Sequence, residues 1–411
     1  MAESQTVELS SLVQFQSGGT PSRSNASYWN GNIPWISGKD MKSFRLSGSI
    51  EHISELAAGK GTRLVQPGTL LVLVRGMALF KGVPIGLVTC SSAFNQDIKA
   101  LAPASGVDSV FLAYAVAARE HQLRSFVTSA GHGTGRLITE ALETLPIWLP
   151  PLPEQQRIAA VLDAWDDAIA TAEELIAAKK RRFDWLRAEV LTGKTRIRGF
   201  AAPWITTKLS KVMHEHGGSS TGAEEVHSVS VHRGLVNQIE HLGRSFAAAS
   251  TDHYNRVLPG DIVYTKSPTG DFPLGIIKQS KLGHAAIVSP LYGVFTPASR
   301  ELGNVLDALM ESPSAAGRLL APVVQKGAKN TIAVTNQNFL QAQLALPTDP
   351  EEITALSKLV DAARAELDVH MCDLSHLRTQ KRGLMQKLLT GEWRVPASID
   401  ALLPKAEERG A

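Results

Sequence analysis

Cysteine is almost missing from this chain. Cys90 and Cys372 are the only two in 411 residues, too few for a disulfide framework or a thiolate metal cluster, so a reducing cytoplasm is the expected compartment. Long apolar runs are missing as well. The longest aliphatic stretch, Leu70 to Val74, is strand length and far below the roughly 20 residues that cross a bilayer, so no membrane association is expected. The first eight residues hold Glu3 and Glu8 and no base, which argues against a secretory leader. No single-residue tract occurs, which argues against long disorder. Excess charge of one sign is also absent: 42 basic and 39 acidic residues leave a net charge of +3, so a case for nucleic acid must rest on where the charges sit.

What is present is a repeat. Leu149, Pro150, Pro151, Leu152, Pro153 and Glu154 recur as Leu346, Pro347, Thr348, Asp349, Pro350 and Glu351. Leu191, Thr192 and Gly193, with Arg196 beyond, recur as Leu389, Thr390 and Gly391 with Arg394. A weaker match pairs Pro67 and Gly68 with Pro259 and Gly260, each ahead of a β-rich run. Self-similarity at half the chain length sets the domain count: two heads, each followed by one helix. The expected fold class is α+β, with mixed α/β heads at 1–152 and 199–348, long helices at 153–198 and 349–395, and a flexible tail at 396–411. Within the heads, Val110 to Gln122 and Gly303 to Leu320 have the length and spacing of helices.

The two helical segments carry the strongest signal. Ile158, Leu162, Trp165, Ile169, Ala172, Ile176, Lys179, Phe183, Leu186 and Val190 follow a 4-3 spacing, and so do Leu356, Val360, Ala363, Leu367, His370, Leu374, Leu377, Lys381, Leu384 and Leu388. That is a coiled-coil seam. Charge sets the direction of pairing. Residues 154–178 carry net −5 and 179–198 net +6; residues 349–373 carry net −5 and 374–394 net +4. Parallel pairing would set acid beside acid, so an antiparallel pair is expected. In the symmetric register Lys381 faces Trp165, its ammonium on the ring, Lys179 passes Leu367, and Phe183 faces Ala363.

The run from Leu149 to Ile158, the long helix closing on Leu191 to Lys194, and the echo from Leu388 to Val395 resemble the specificity subunit of type I restriction-modification systems. Pro34, Trp35, Ile36 and Ser37, and the Gly133-Thr134 step with its weaker counterpart Asn330-Thr331, add to the resemblance, which covers almost the whole chain. It implies two target-recognition domains that each read one half of a bipartite duplex DNA site, held apart by the coiled coil. It further implies assembly with two methyltransferase subunits, and with restriction subunits in the full complex. No cofactor is expected in this chain; S-adenosylmethionine, ATP and Mg would belong to the partners.

The residues themselves offer little catalysis. Ser289, Pro290, Leu291 and Tyr292 lack the amide or carboxylate that an amino-methyltransferase loop needs first. Gly131 to Gly135 fits no phosphate-loop pattern. Asp261 and Lys266 faintly suggest a nuclease pair, but a second carboxylate at local spacing is missing. The histidines show no metal-ligand spacing, so neither a catalytic nor a metal site is expected. DNA contacts are expected from basic or amide side chains on glycine-rich turns: Lys39, Arg75, Lys81, His132 and Arg136 in the first head, and His232, Arg233, Lys266, Lys326, Lys329 and Asn330 in the second. Each head is only +2, and any one of these residues is more often a solvated charge. The expected function is non-catalytic DNA recognition and assembly. The rivals are a coiled-coil scaffold joining two protein-binding heads, and an enzyme whose site has no recognised motif.

Overall fold

A computed structural model describes residues 5–130, 133–231, 233–239, 251–326 and 332–402. Contacts divide the chain into two compact units, residues 1–172 with 373–411, and residues 173–372. Each unit holds one head, the acidic start of the helix that follows it, and the basic end of the other long helix.

In the first unit the central sheet runs in the order Val13–Ser17, Ile98–Pro103, Leu70–Leu73, Ile85–Val88, Arg45–Leu46. The aliphatic run lies at its middle, where Leu70 to Leu73 are all buried, as a strand covered on both faces requires. One cover is the helix Ser109–Ala117, capped by Asp108, whose carboxylate accepts from Val110 and Phe111 N–H. The expected helix from Val110 to Gln122 is two helices, the second being Glu120–Ser125. A smaller four-stranded sheet surrounds Trp35, whose indole N–H donates to the Gly19 carbonyl at 3.0 Å.

The second unit repeats the plan. Its sheet runs Met213–Glu215, Gly293–Pro297, Ile262–Tyr264, Ile277–Gln279. Even the register repeats: Leu71 is flanked by Ala100 and Gly86, and Val263, its counterpart, by Val294 and Lys278. Arg300–Met310 and Pro313–Leu320 take the place of the two helices. The expected single helix from Gly303 breaks because Pro313, lacking an N–H, opens a new helix rather than continuing the old one.

The long helices span Leu152–Trp185, with a wider turn over Leu186–Val190, and Pro350–Leu388. All twenty seam positions are buried or half-buried, and none is exposed. Within each unit the pairing is antiparallel. Lys381 bonds Asp166 in the first unit, and Lys179 pairs with Glu366 in the second. The expected neighbour of Lys381 is corrected by one residue. Lys381 does not take Trp165: its ammonium joins Asp166 and lies 4.8 Å from the Tyr114 ring centre. Lys179 ends on Glu366. A half-buried ammonium gains more from a carboxylate within reach than from a ring alone.

Each helix is also tied to its own head by polar groups. The Tyr114 hydroxyl donates to Asp163 at 2.8 Å and Asp166 at 2.5 Å, and Arg45 pairs with Asp163 at 2.7 Å. In the second unit Arg364 reaches Asn304, Asp307 and Glu311, each at 2.9 Å. A third tie closes both units. Gly193 and Gly391, at φ +75 and +77, sit against Trp204 and Trp148 so closely that a Cβ would fall within 2.7 Å of the rings. Only glycine fits there. The chain then turns so that Arg196 and Arg394 fork onto the buried Glu352 and Glu154.

Candidate nucleic-acid interface

In the first head the central strand leads straight into the candidate site. After Leu73 the chain continues as the short strand Arg75–Gly76, the edge of a three-stranded sheet completed by the hairpin Val127–Ala130 and Thr134–Leu137. Arg75 and Arg136 are direct cross-strand partners, so both side chains leave the same face, and both are exposed. Like charges held opposite each other are unfavourable unless an anion lies between them. Beside them Gly76, Gly135 and Ser129 form one row across the three strands. A Cβ on Gly135 would lie 2.9 Å from the Leu79 Cβ and 3.2 Å from the Gly76 carbonyl oxygen, so the close packing of this hairpin demands glycine. Exposed Met77, Phe80 and Phe126 flank the patch, and exposed Lys81 caps the short helix Met77–Phe80. Lys39, also exposed, sits on the turn after Ile33–Ile36, which Asp40 holds by accepting from Ser37 N–H and Ile50 N–H. Gly38 and Gly76 both lie against the Leu73 side chain, so Lys39 and Arg75 flank the same strand end.

The second head places Lys266 at the matching point, just past Ile262–Tyr264. It is the one non-glycine residue with positive φ among the described residues, at +61. Gly275 makes room for it, since a Cβ there would lie 2.9 Å from the Lys266 nitrogen. Burial pulls the Lys266 ammonium below the ordinary lysine range, against the upward pull of Glu215. Gln325–Lys326 and Ile332–Ala333 form the hairpin that matches the arginine-bearing one. His132, His232, Lys329 and Asn330 lie outside the described residues, and of Lys326 only the backbone is described. Arg233 is elsewhere, in the turn between His227–Ser230 and Gly234–Asn237. The expected second-head set therefore falls in two places.

Asp261 is bonded within the head. Its 2% exposed side chain accepts from Leu258 N–H and the Thr296 hydroxyl and meets His216 Nε2 at 3.1 Å. Residue spacing gave no metal-ligating set, yet Glu225, His227 and His284 bring their donor atoms within 4.8 Å of one another. The 57 positions separating His227 from His284 hid this in the sequence. Sequence reasoning also missed the roles of Glu154, Glu352, Trp148 and Trp204, although the repeated glycine and arginine that they receive were visible. Among the described residues no helix is long and apolar enough to cross a membrane.

Residues 1–179 match the family described as the type I restriction modification DNA specificity domain. The chain is 30% identical over 160 residues, 38% of its length, to the type I restriction enzyme EcoR124I/EcoR124II specificity subunit of Escherichia coli. It is 24% identical over 269 residues, 61% of its length, to the type I restriction enzyme MjaIX specificity subunit of Methanocaldococcus jannaschii. These matches span 40% and 60% of the two relatives. In fold, the chain is similar to the type I restriction-modification S subunit from M. genitalium, with a TM-score of 0.57 at 13% identity over 94% of this chain and 96% of that one. A chain from a study of complex assembly in the type I system gives a TM-score of 0.55 at 14% identity, covering 94% and 97%.

Proposed function

We propose that this chain, which is similar to type I restriction-modification specificity subunits, recognises DNA for such a system, each head reading one half of a bipartite duplex target. Two methyltransferase subunits dock on it, joined by restriction subunits in the full complex. The chain itself performs no chemistry in this reading, S-adenosylmethionine, ATP and Mg being used by its partners, and it works in the cytoplasm.

One observation carries the proposal. The central strands of the two heads keep one order and one register, while the segments at their ends differ: paired arginines on a three-stranded sheet in one head, a left-handed lysine in the other. A shared scaffold with different basic tips suits two different half-sites. Arginines side by side on a flat, glycine-bearing sheet suit phosphate oxygens, and they leave the neighbouring loops to meet base edges.

The test maps methylated bases in the genome of the host with this gene intact, deleted, or carrying a second head exchanged for that of a relative. The expected result is a bipartite motif that depends on the gene, with the exchange altering one half alone. A genome with no such motif, or an exchange that alters both halves or neither, overturns the proposal.

A further inference from the structure

In the second head, away from Lys266, the strand His227–Ser230 begins two residues after Glu225. The Glu225 carbonyl accepts from Ile287 N–H at 3.1 Å, and Val226 bridges Ile287 in parallel. That bridge draws the loop before Ala286–Val288, with His284 on it, over the start of the strand. The Glu225, His227 and His284 donor atoms consequently converge within 4.8 Å at a cleft that Arg233 and Asn237 also line.

Two details go beyond proximity. His227 is 4% exposed, and its Nδ1 lies 3.1 Å from the Glu225 carbonyl oxygen. A carbonyl can only accept, so Nδ1 carries the proton and Nε2 keeps its lone pair free, the tautomer usual for a ligating imidazole. Glu225 is held in the same manner: Asn237 donates to Oε2 at 2.8 Å, and Oε1 has no hydrogen-bond partner among the described residues. Both donors are thus oriented by their neighbours before any ion arrives.

We infer that Glu225, His227 and His284 form a binding site for a divalent transition-metal ion of the zinc class, with a fourth position open to the cleft. Two imidazoles and one carboxylate suit such ions and not calcium or magnesium, which take oxygen ligands. Bonds of about 2.0 to 2.2 Å require the donors to draw closer, which the exposed His284 side chain achieves by rotating inward while Asn237 holds Glu225. Arg233 on the cleft wall favours an anion or hydroxide as the fourth ligand. The ion ties the hairpin His227–Asn237 to the 284 loop.

The experiment uses the full chain without an affinity tag, stripped with chelator and titrated with Zn²⁺ and separately with Co²⁺, beside His284→Ala and Glu225→Gln. Both substituted residues are exposed, so unchanged metal-free melting verifies that each variant folds. The wild type is expected to bind one equivalent more than His284→Ala and to show visible Co²⁺ bands that this variant lacks. Glu225→Gln should weaken that equivalent at least tenfold. Equal stoichiometry and spectra in wild type and His284→Ala, or binding by neither, would overturn the inference.

Discussion

Arg196 forks onto Glu352, 156 positions away, with Nε at 2.8 Å from one carboxylate oxygen and Nη2 at 2.7 Å from the other, while Trp204 donates its indole N–H to the same group at 3.1 Å. The glutamate side chain is 1% exposed. Removing the arginine would strand a buried carboxylate, so Arg196→Ala is expected to cost about 3 to 5 kcal/mol. Arg196→Lys should recover only part, since an ammonium cannot make the fork. Denaturant unfolding of the three proteins measures this, and equal midpoints would refute it.

Lys381→Leu should destabilise the first unit. Facing Trp165, as the seam register predicts, Lys381 would accept leucine with a neutral or stabilising effect, an apolar residue replacing a charge. The ammonium instead serves Asp166, which with Asp163 crowds the Tyr114 hydroxyl. Without it Asp166 loses its cation, while Asp163 keeps Arg45, at a cost of about 1 to 3 kcal/mol. A midpoint at or above wild type would show that the pair contributes nothing.

Lys179→Glu should lower the melting temperature at low salt by setting like charges together at Glu366. The Lys179 hydrogen bond holds the Glu366 carboxyl below its usual range. Because the pair lies at the surface, high salt should erase most of the difference. A deficit that does not depend on salt would mean packing rather than charge.

Glu311 makes the second unit acid-sensitive. Its burial opposes the charge, but Lys278 and Arg364 outweigh that effect and hold the carboxyl below the ordinary range. A group whose folded value is depressed contributes its stability above the unfolded value, roughly 4.3, and loses it as pH falls through the folded value. Stability should therefore drop in this window, and Glu311→Gln should flatten the drop while lowering stability at neutral pH. Chemical unfolding at pH 7 and at successively lower pH reads both effects.

Arg75→Ala and Arg136→Ala should each weaken DNA binding uniformly across target sequences. If each arginine meets one phosphate, each change should reduce the slope of log affinity against log salt by about 1. A variant that changes which bases are preferred, with the slope intact, would place that arginine on a base edge instead.

Much of this architecture was legible in the sequence, for identifiable reasons. The seam is periodic, and period is a local property that survives whatever the heads do, so all twenty positions could be named and the antiparallel sense read from two charge reversals. The neighbour of Lys381 was less legible, since a one-residue offset decides between a ring and a carboxylate and depends on how the helix settles on its head. Arg75 and Arg136 could be singled out separately, but 60 residues of chain hid their pairing. Glu225, His227 and His284 were opaque for the same reason, their convergence depending on a backbone bridge between Val226 and Ile287.

The first unit is assembled from residues 1–172 and 373–411, whereas the second is one uninterrupted stretch. A ribosome adding roughly 5 to 20 residues per second needs on the order of 10 to 40 s to make the intervening chain. Throughout that interval the nascent first head has Ile158 and Leu162 without Leu388 and Leu389, and Glu154 without Arg394. The usual vectorial order is inverted. The half synthesised first waits to be finished by the segment synthesised last, and a chain that stalls after residue 372 emerges with its second head whole and its first head unsealed, an open apolar face for chaperones and proteases to find.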